Sequence, residues 1–383
     1  MYQPATAESI SELVLWVRLQ LAERIGANTA RRLLTRFGLP DKILSADLAD
    51  LTQELGARRA RALKGSPSAA TQHCLERTRA WLELAGNYII TLADARFPQA
   101  LLQIPDPPIL LYAKGRVALL QAPSMAVVGS RNATTQGVSN AEALSAAIGA
   151  AGITICSGLA LGIDAAAHRG GLRNGAASTI AVIGTGIDII YPARNRELAH
   201  QIAVEGCIVS EYPLGTPAIA GNFPRRNRLI SGLSQAVLVV EAAAQSGSLI
   251  TARVAAEQGR DVFAIPGSIH SPLSKGCHQL IKEGAKLVET AQDVLDELAG
   301  GLGVTRVAQR SAPSDVALVT LCPSQAALLT ALGFDPVDGD ALATRTGTDP
   351  ATLNVDLLAL EMAGLLEQLP GGLYQRLHVV EIK

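Results

Sequence analysis

A dense group of basic residues lies near the middle of this 383-residue chain. Within four consecutive positions the chain places three arginines and one asparagine, namely Arg225, Arg226, Asn227 and Arg228. Guanidinium groups bind phosphate oxygens through paired hydrogen bonds, which suits such a cluster to a polyanion. No acid, base or nucleophile accompanies it in the sequence. The cluster therefore predicts binding of a polyanion rather than chemistry on one.

Small residues at the ends of predicted strands supply a second set of candidates. Gly129-Ser130-Arg131 follows one apolar run, and Ser246-Gly247-Ser248 opens a helical segment that contains Thr251. In open α/β sheets, ligands bind beyond the carboxyl ends of the strands, and a helix N-terminus offers free N–H groups to phosphate. We therefore expect the small residues and glycines at most of the strand ends, among them Ser130, Ser246 and Gly247, to let an anionic ligand approach backbone amides. Tight strand–helix turns are the alternative explanation for the glycines.

The elements that must position these residues alternate between strand and helix. Apolar runs bounded by turn residues predict six buried strands, with Ala285–Val288 as a candidate seventh. The six are Met125–Gly129, Ile153–Ser157, Ser178–Gly184, Cys207–Glu211, Ala236–Glu241 and Asp261–Pro266. Apolar strands separated by helices are typical of a parallel sheet that is covered on both faces. Right-handed crossovers then predict an α/β protein with a Rossmann-like doubly wound core.

The chain divides into three predicted domains and a linker. Residues 86–300 form the Rossmann-like core, and residues 1–85 form a helical domain with helical spacing at 10–21, 30–37 and 75–84. Residues 301–316 are a Gly-, Ser- and Pro-containing linker. Residues 317–383 show three helical patterns followed by a hairpin, which is the outline of a winged helix.

Charge is distributed unevenly over these regions. The overall net charge is −1. Residues 1–85 carry 12 Lys and Arg against 9 Asp and Glu, whereas residues 314–383 carry 3 against 9. The acidic C-terminal region is therefore a poor candidate for a phosphate surface. In residues 1–85, Arg31-Arg32 and Gly56-Ala57-Arg58-Arg59 look like parts of helix–turn–helix units, which often contact DNA backbone. A small helical bundle with solvated arginines is the alternative.

Composition and missing motifs exclude several classes of protein. The five cysteines form no CxxC pair, so the sequence predicts reduced thiols in the cytoplasm rather than a zinc site or a disulfide framework. We expect no signal peptide and no membrane-spanning segment. The third glycine of the dinucleotide fingerprint is missing after Gly184-Thr185-Gly186, and no P-loop occurs. No cofactor, no metal ligand and no catalytic residue are therefore predicted.

Several polar and aromatic residues have both a functional and a structural explanation. Asp164 and His168 share one predicted helix face and could form an acid–base or metal pair, but orienting a turn is the favoured role. Structural roles are also favoured for Glu241 and for Ser210-Glu211, because no His or Lys partner accompanies them. Candidate base-stacking residues are few, and each is expected to be a core residue. They are Tyr191, Tyr212 and Phe223.

The order of these motifs resembles the bacterial DprA family, also called DNA-processing protein A or Smf. The motifs span about residues 87–298 without interruption. They are Gly129-Ser130-Arg131, Ser157-Gly158-Leu159-Ala160-Leu161-Gly162-Ile163-Asp164 with His168, Gly184-Thr185-Gly186-Ile187-Asp188 with Tyr191-Pro192 and Asn195, Ser210-Glu211, Phe223-Pro224 with Arg226-Asn227-Arg228, Ser246-Gly247-Ser248-Leu249 with Thr251, and Pro266-Gly267. The family often carries an N-terminal SAM-like or helix-hairpin-helix domain and a C-terminal winged helix, which agrees with the flanking regions.

The resemblance implies a non-enzymatic protein that binds single-stranded DNA. Such proteins protect incoming strands during natural transformation, load the RecA recombinase onto them and form homodimers through the Rossmann-like core. By motif position, phosphate contacts fall on Arg131 and on Arg225, Arg226 and Arg228, with Arg194 as a weaker candidate. Ser246, Gly247 and Thr251 would form the floor of the pocket. We expect steep salt dependence, since phosphate contacts release counterions.

Two other functions compete with this interpretation. A nucleotide N-glycosidase would use a similar glycine-rich turn with a nearby Glu, but the first Glu after Thr251 is Glu257. A pure interaction scaffold would recruit partners through the acidic C-terminal domain. Release of free base would reveal the enzyme, and deletion of residues 317–383 would test the scaffold.

Overall fold

The computed structural model describes residues 7–302, 321–369 and 371–377. They form two compact units, of which the first contains residues 7–133 and 137–302 and the second contains residues 134–136, 321–369 and 371–377. The predicted linker lies outside the described residues from position 303 onward.

Short helices open the first unit. They are α1 (Ala7–Leu21), α2 (Ala27–Phe37), α3 (Pro40–Ser45), α4 (Leu48–Leu55), α5 (Ala57–Lys64) and α6 (Ala69–Leu82). α1, α2 and α6 confirm the three segments with helical periodicity. Gly56 separates α4 from α5 with a φ of +79°, and its N–H closes α4 on the Thr52 carbonyl. Glycine is favoured at this position because it adopts positive φ without a steric penalty.

A β-hairpin-like pair that the sequence analysis did not predict follows the helices. It consists of β1 (Asn87–Thr91), the short helix α7 (Gln99–Leu102) and β2 (Leu110–Gly115). β1 and β2 pair antiparallel, with Asn87 opposite Lys114 and Thr91 opposite Leu110. The proline-rich stretch around Pro107 and Pro108 lies in the connection between them. Prolines often end strands because they lack an N–H donor. The prolines here therefore led the sequence analysis to miss two short strands.

The strands and helices of the core follow in strict alternation. They are β3 (Ser124–Val128), α8 (Thr135–Ala150), β4 (Thr154–Ser157), α9 (Ile163–Leu172), β5 (Thr179–Gly186), α10 (Arg196–Glu205), β6 (Cys207–Tyr212), α11 (Asn222–Leu233), β7 (Ala236–Val239), α12 (Gly247–Glu257), β8 (Asp261–Ala264), α13 (Lys275–Lys282), β9 (Lys286–Leu287) and α14 (Ala291–Leu302). All seven strands predicted from the apolar runs are present, which confirms the doubly wound α/β core.

The sheet has nine strands in the order β1-β2-β6-β5-β4-β3-β7-β8-β9. β3 to β9 run parallel, and β2 pairs antiparallel with β6, so the β1–β2 pair extends one side. From β3 the chain proceeds through β4 and β5 to β6, and then returns to place β7 on the other side of β3. The strand order therefore reverses between β3 and β7, where open α/β sheets leave a crevice for ligands.

The N-terminal helices pack directly onto the sheet. One apolar cluster joins Trp16, Leu33 and Leu51 of these helices with Tyr112 and Ile183 of the sheet. The side-chain amide of Gln20 donates to the Glu211 carbonyl at 2.8 Å and accepts from the Tyr112 hydroxyl at 3.0 Å. Arg77 of α6 forms an ion pair with Asp188 at 2.6 Å. The helices and the sheet thus share one core.

The second unit contains three helices and a small sheet. Its elements are α15 (Pro323–Leu332), β10 (Val337–Asp338), α16 (Gly339–Thr346), α17 (Pro350–Met362), β11 (Leu366–Leu369) and β12 (Leu373–Arg376). β12 pairs with both β10 and β11. Asp338 and Asp349 cap the N-termini of α16 and α17 with their carboxylates. This arrangement confirms the predicted winged-helix outline.

None of the helices in the described residues is both long and apolar enough to cross a bilayer.

Candidate functional site

A cavity of about 410 Å³ lies at the point where the strand order reverses. It is bounded by the loops after β3, β4 and β7, by α11 and by the first turn of α12. The lining residues that bear polar side chains are Ser130, Arg131, Asn132, Asp164, Arg226, Asn227, Gln245, Ser246, Ser248 and Thr251. Two guanidinium groups and a helix N-terminus therefore converge on one crevice.

Seven of the ten predicted site residues line this cavity. They are Ser130, Arg131, Arg226, Asn227, Ser246, Gly247 and Thr251. Arg194, Arg225 and Arg228 do not line it. Arg194 and Arg225 are exposed, whereas Arg228 is buried. The arginines of the 225–228 cluster therefore lie in three different environments: Arg226 lines the cavity, Arg225 is exposed outside it, and Arg228 is buried.

Arg226 forms part of the cavity wall and is only 4% exposed. Its Nη1 donates to the carbonyls of Gly158, at 2.6 Å, and Val182, and its Nε donates to the Asn227 side chain at 3.2 Å. Burial lowers the pKa of Arg226, while the nearby Asp164 carboxylate acts in the opposite direction. Nη2 takes part in no hydrogen bond with the described residues. Arg226 thus combines a structural anchor with a cation at the site.

Arg228 serves a different purpose from the one predicted. Its Nη2 donates to both carboxylate oxygens of Glu211 at 2.6 Å, and its Nη1 donates to the Asp106 carbonyl at 2.9 Å. The Asp106 carboxylate lies 3.1 Å from Nε. The charge of Arg228 is therefore already compensated, away from the cavity. A phosphate would have to displace Glu211 to reach it, so we describe Arg228 as a residue that anchors α11.

Arg131 and Ser130 form the opposite wall. The Ser130 hydroxyl accepts from the Asn132 N–H at 3.1 Å, and the Ser130 carbonyl accepts from the Ile163 N–H at 3.1 Å. These bonds fix the loop after β3 and direct Arg131 to the surface, where it is exposed. Arg131 takes part in no ion pair within residues 7–302, 321–369 and 371–377. Its guanidinium is therefore available to an anion.

The first turn of α12 closes the cavity. Ser246 is the N-cap of this helix, and its hydroxyl accepts from the Ser248 N–H at 3.3 Å. A side chain at Gly247 would meet no atom within 4 Å, so the backbone there is open to solvent. Thr251 is buried one turn further along the helix. Unpaired N–H groups and the positive end of the helix dipole favour an anion at this position.

Asp164 and His168 hold the loop after β4 rather than acting on a ligand. Asp164 accepts from the N–H groups of Gly158 at 3.1 Å and Ala160 at 3.3 Å. His168 Nε2 accepts from Leu159 N–H at 3.2 Å, and its Nδ1 lies 2.7 Å from the Thr179 hydroxyl. Burial raises the pKa of Asp164 and lowers the pKa of His168 to about 3. The favoured structural role of this pair is confirmed.

The remaining polar candidates also bind protein groups. The Ser210 hydroxyl donates to the Thr185 carbonyl at 2.5 Å, and Glu211 binds Arg228. A side chain at Gly137 would meet the carboxylate of Glu241, which therefore packs closely against α8. Asn195 was not singled out for a role, yet its amide donates to the carbonyls of Leu159 and Ala160 and supports the cavity wall. The available signal was its place after Tyr191-Pro192 in the motifs that carry the family resemblance.

The aromatic residues divide between core and surface. Tyr212 is buried, and its hydroxyl donates to the Asn222 carbonyl at 3.0 Å, as predicted for a core residue. The prediction was wrong for Tyr191, which is 50% exposed. Its ring lies 5.5 Å from the ring of Phe223, which itself lines the cavity. A partly exposed aromatic pair therefore lies beside the anion site.

The glycines at the strand ends mostly make room for protein atoms. A Cβ at Gly158 would lie 2.6 Å from Arg226 Nη1, one at Gly129 would lie 2.7 Å from Ile163, and one at Gly184 would lie 2.9 Å from Phe223. The expectation that most of them admit a ligand to the backbone was therefore wrong. Gly247, with open space around it, fits that expectation.

No group of three or more His, Cys, Asp or Glu side chains suited to a metal ion occurs in the described part of the chain.

Two family models match the chain in the regions that carry this geometry. The model described as DNA recombination-mediator protein A matches residues 88–299, and the DprA winged helix domain matches residues 312–372. The first match alone covers more than half of the chain and includes every residue of the cavity. The chain belongs to the DprA/Smf family. The motifs of the sequence thus point to the family that the two models define.

Individual members of the DprA/Smf family agree with this assignment. Protein Smf of Escherichia coli strain K12 is 42% identical over 309 residues, which cover 79% of this chain and 81% of that protein. The X-ray structure of DprA from Streptococcus pneumoniae matches with a TM-score of 0.55 at 40% identity, covering 70% of this chain and 97% of that one. DprA from Helicobacter pylori, whose structure is described for its single-stranded DNA binding mode, matches with a TM-score of 0.51 at 32% identity and covers 56% of this chain and 96% of that one.

Proposed function

We propose that this protein binds single-stranded DNA through the cavity between β3 and β7. The observation that carries the proposal is the convergence of Arg131, Arg226 and the N-terminus of α12 on one crevice. Guanidinium groups and free helix N–H groups are suited to phosphate. The described single-stranded DNA binding by the Helicobacter pylori relative supports the same ligand here.

The path of the strand is proposed to continue from the cavity over the aromatic pair. Phe223 lines the cavity and Tyr191 lies beside it, half exposed, so a base can stack on this pair. Arg194 and Arg225 are exposed outside the cavity and are proposed to meet further phosphates. Arg228 is left out of this path because Glu211 occupies it.

We further propose that the bound strand is a substrate for recombination rather than for chemistry by this protein. The family description as a recombination mediator supports a role in loading RecA during natural transformation or homologous recombination. The engagement of Asp164, His168 and Glu211 with protein groups supports a non-enzymatic role. A homodimer formed through the core, in the cytoplasm, is proposed from the family resemblance.

Binding of a labelled oligothymidylate across a salt series tests the central proposal. Arg131→Ala is expected to weaken binding about tenfold, since a hydrogen bond to a charged group contributes about 1.5–3 kcal/mol. The slope of log affinity against log salt should fall in magnitude by about 0.7 for the lost phosphate contact. Arg79→Ala is the matched control, because Arg79 is also exposed and without an ion pair among the described residues. Unchanged affinity and slope in the folded Arg131→Ala protein would rule out the site.

RecA loading is tested on the same variants. Single-stranded DNA coated with a single-strand binding protein delays RecA filament growth, which RecA ATP hydrolysis reports. The wild-type protein should shorten the delay, and Arg131→Ala should not. Light scattering tests the dimer independently, and a monomer at all concentrations would contradict that part of the proposal.

A further inference from the structure

A second basic surface lies on α5, within the N-terminal helices. Four of its eight residues are basic, Arg58, Arg59, Arg61 and Lys64, and none is acidic. All four side chains are exposed, whereas Ala60 and Leu63 face inward and are buried. The helix therefore presents one apolar side to the core and one strongly basic side to solvent.

The charges on this side of α5 are not compensated by nearby carboxylates. The closest acidic residue in sequence, Glu54 at the end of α4, forms ion pairs with Arg32 and Arg36 of α2 instead. No ion pair among the described residues involves Arg58, Arg59 or Arg61. The positive potential of the three guanidinium groups therefore faces solvent.

Two neighbouring groups extend the same surface. Arg18 of α1 donates from Nη2 to the Gly65 carbonyl at 3.1 Å, which brings a further guanidinium to the end of α5. Lys64 donates from Nζ to the carbonyls of Leu44 at 2.9 Å and Ala46 at 3.0 Å. These bonds satisfy backbone acceptors but leave both positive charges without a counterion among the described residues. Five cations thus lie around one short helix.

We propose that this surface, formed by Arg18, Arg58, Arg59, Arg61 and Lys64, is a second nucleic-acid site that binds the phosphate backbone. Guanidinium groups bind phosphate with paired N–H donors, and residues at i and i+3, such as Arg58 and Arg61, lie about 5–6 Å apart on one helix face. α5 contains no aromatic residue, so the surface offers no platform for base stacking. The site therefore holds the backbone without reading the sequence. It does not depend on ligand binding in the cavity.

A nucleic acid fits this surface better than a phospholipid membrane does. Stable binding at a bilayer surface needs two contributions, electrostatic attraction to the lipid headgroups and apolar side chains that enter the headgroup region. The exposed large apolar residues of the described chain include none on α5. Apart from its basic residues, the exposed side of α5 carries only small side chains. Such a surface is suited to phosphates that remain in water. Membrane binding is therefore an outcome that the experiment separates from the proposal.

The experiment uses the full chain with Arg58→Ala, Arg59→Ala and Arg61→Ala combined. The matched control combines Arg79→Ala, Lys282→Ala and Arg345→Ala, which removes the same charge from exposed positions without ion pairs in the described residues. Binding is measured by fluorescence anisotropy over a salt series, with oligothymidylates of about six and about thirty nucleotides and a duplex of the longer length. Circular dichroism confirms that both variants fold.

The α5 variant is expected to lose about tenfold in affinity for the long strand or the duplex. Its slope against salt should fall by about two, from three lost contacts of about 0.7 each on a single strand. Binding of the short strand should change less than about twofold, because the short strand fills only the cavity. Arg131→Ala should instead weaken binding of the short strand more than binding of the long strand. Failure of the cavity proposal and failure of the α5 proposal therefore give different patterns.

Three results would overturn the proposal. The first is unchanged binding of both long ligands by the α5 variant. The second is an equal loss in the control variant, which would reflect net charge alone. The third is unchanged DNA binding together with lost binding to vesicles of phosphatidylglycerol and phosphatidylcholine, which would identify a lipid surface.

Discussion

The helices α5 and α11 carry the same arrangement of arginines but use it in opposite ways. Both contain two adjacent arginines, one other residue and a third arginine, at 58–61 in α5 and at 225–228 in α11. In α11 the second and third are buried, and protein carbonyls and carboxylates bind them. In α5 all three are exposed. An identical local pattern therefore gives a structural anchor in one place and a free cationic surface in the other.

The surroundings of each helix explain this difference. α11 packs against the sheet. There Glu211 of β6 and Asp164 of α9 supply buried carboxylates, and the carbonyls of Gly158 and Val182 accept hydrogen bonds from Arg226. α5 lies at the surface and buries only Ala60 and Leu63. Buried charges need partners because leaving water is costly, whereas exposed charges do not. The fold around a cluster decides whether its charge is available to a ligand.

The largest effect is expected where α11 anchors to β6. Arg228→Ala leaves Glu211 buried without its partner, and loss of one member of a buried pair destabilises by about 3–5 kcal/mol. Urea unfolding followed by circular dichroism measures the free energy of unfolding. The double variant Arg228→Met with Glu211→Leu should recover much of this loss, because it leaves no unpaired buried charge. A loss below about 1 kcal/mol in Arg228→Ala would remove the distinction between the two helices.

A second, smaller effect concerns pH and the buried His168 beside Arg226. Its pKa is about 3 in the folded protein and near 6.5 when unfolded, so only the unfolded state gains a proton as pH falls below 6.5. The stability that neutral His168 contributes is therefore present above pH 6.5 and is lost as pH falls towards 3. By linkage, lowering the pH from 7 to 5 should reduce the free energy of unfolding by about 2 kcal/mol through His168.

The comparison of variants isolates this contribution. His168→Gln should flatten the dependence of unfolding free energy on pH, whereas His73→Gln, at an exposed position of α6, should leave it unchanged. Parallel curves for the wild type and His168→Gln would show that His168 is not held neutral by burial.

The smallest effect is expected on α5. Arg58→Ala, Arg59→Ala and Arg61→Ala should each change the free energy of unfolding by less than about 0.5 kcal/mol, since surface substitutions away from structural contacts rarely do more. Thermal unfolding of the single variants measures this directly. A loss above about 2 kcal/mol in any of them would mean that α5 uses its arginines as α11 does, and the contrast would fail.

Much of the core followed from its apolar patterning. The runs at Met125, Ile153, Ser178, Cys207, Ala236 and Asp261 each became a strand of the sheet, because fully buried parallel strands are apolar on both faces. β1 and β2 escaped prediction, since a proline-containing stretch separates them and β2 joins the sheet through antiparallel pairing with the distant β6. Short strands of this kind are defined by their partners rather than by their own sequence.

The site was predictable in outline but not in the roles of individual residues. The loops that carry Arg131 and Ser246 lie at the predicted strand ends, and the reversal in strand order brings them together. Arg226 and Arg228 could not be told apart, because they lie only two positions apart on the same helix. In the structure Arg226 forms part of the cavity wall, whereas Arg228 binds the buried Glu211 carboxylate. Tyr191 was likewise misjudged, because its 50% exposure follows from tertiary packing that the local sequence does not show.

The way in which α1–α6 cover the sheet limits how the gene can be shortened. A protein that began near residue 86 would uncover residues of the sheet such as Tyr112, whose ring contacts Trp81 of α6 in the shared apolar cluster. It would also leave the Glu211 carbonyl without the Gln20 amide that now binds it. Bare apolar area of this kind promotes aggregation. Removal of these helices, in evolution or by truncation, would therefore require the apolar residues on that face of the sheet to be replaced by polar ones.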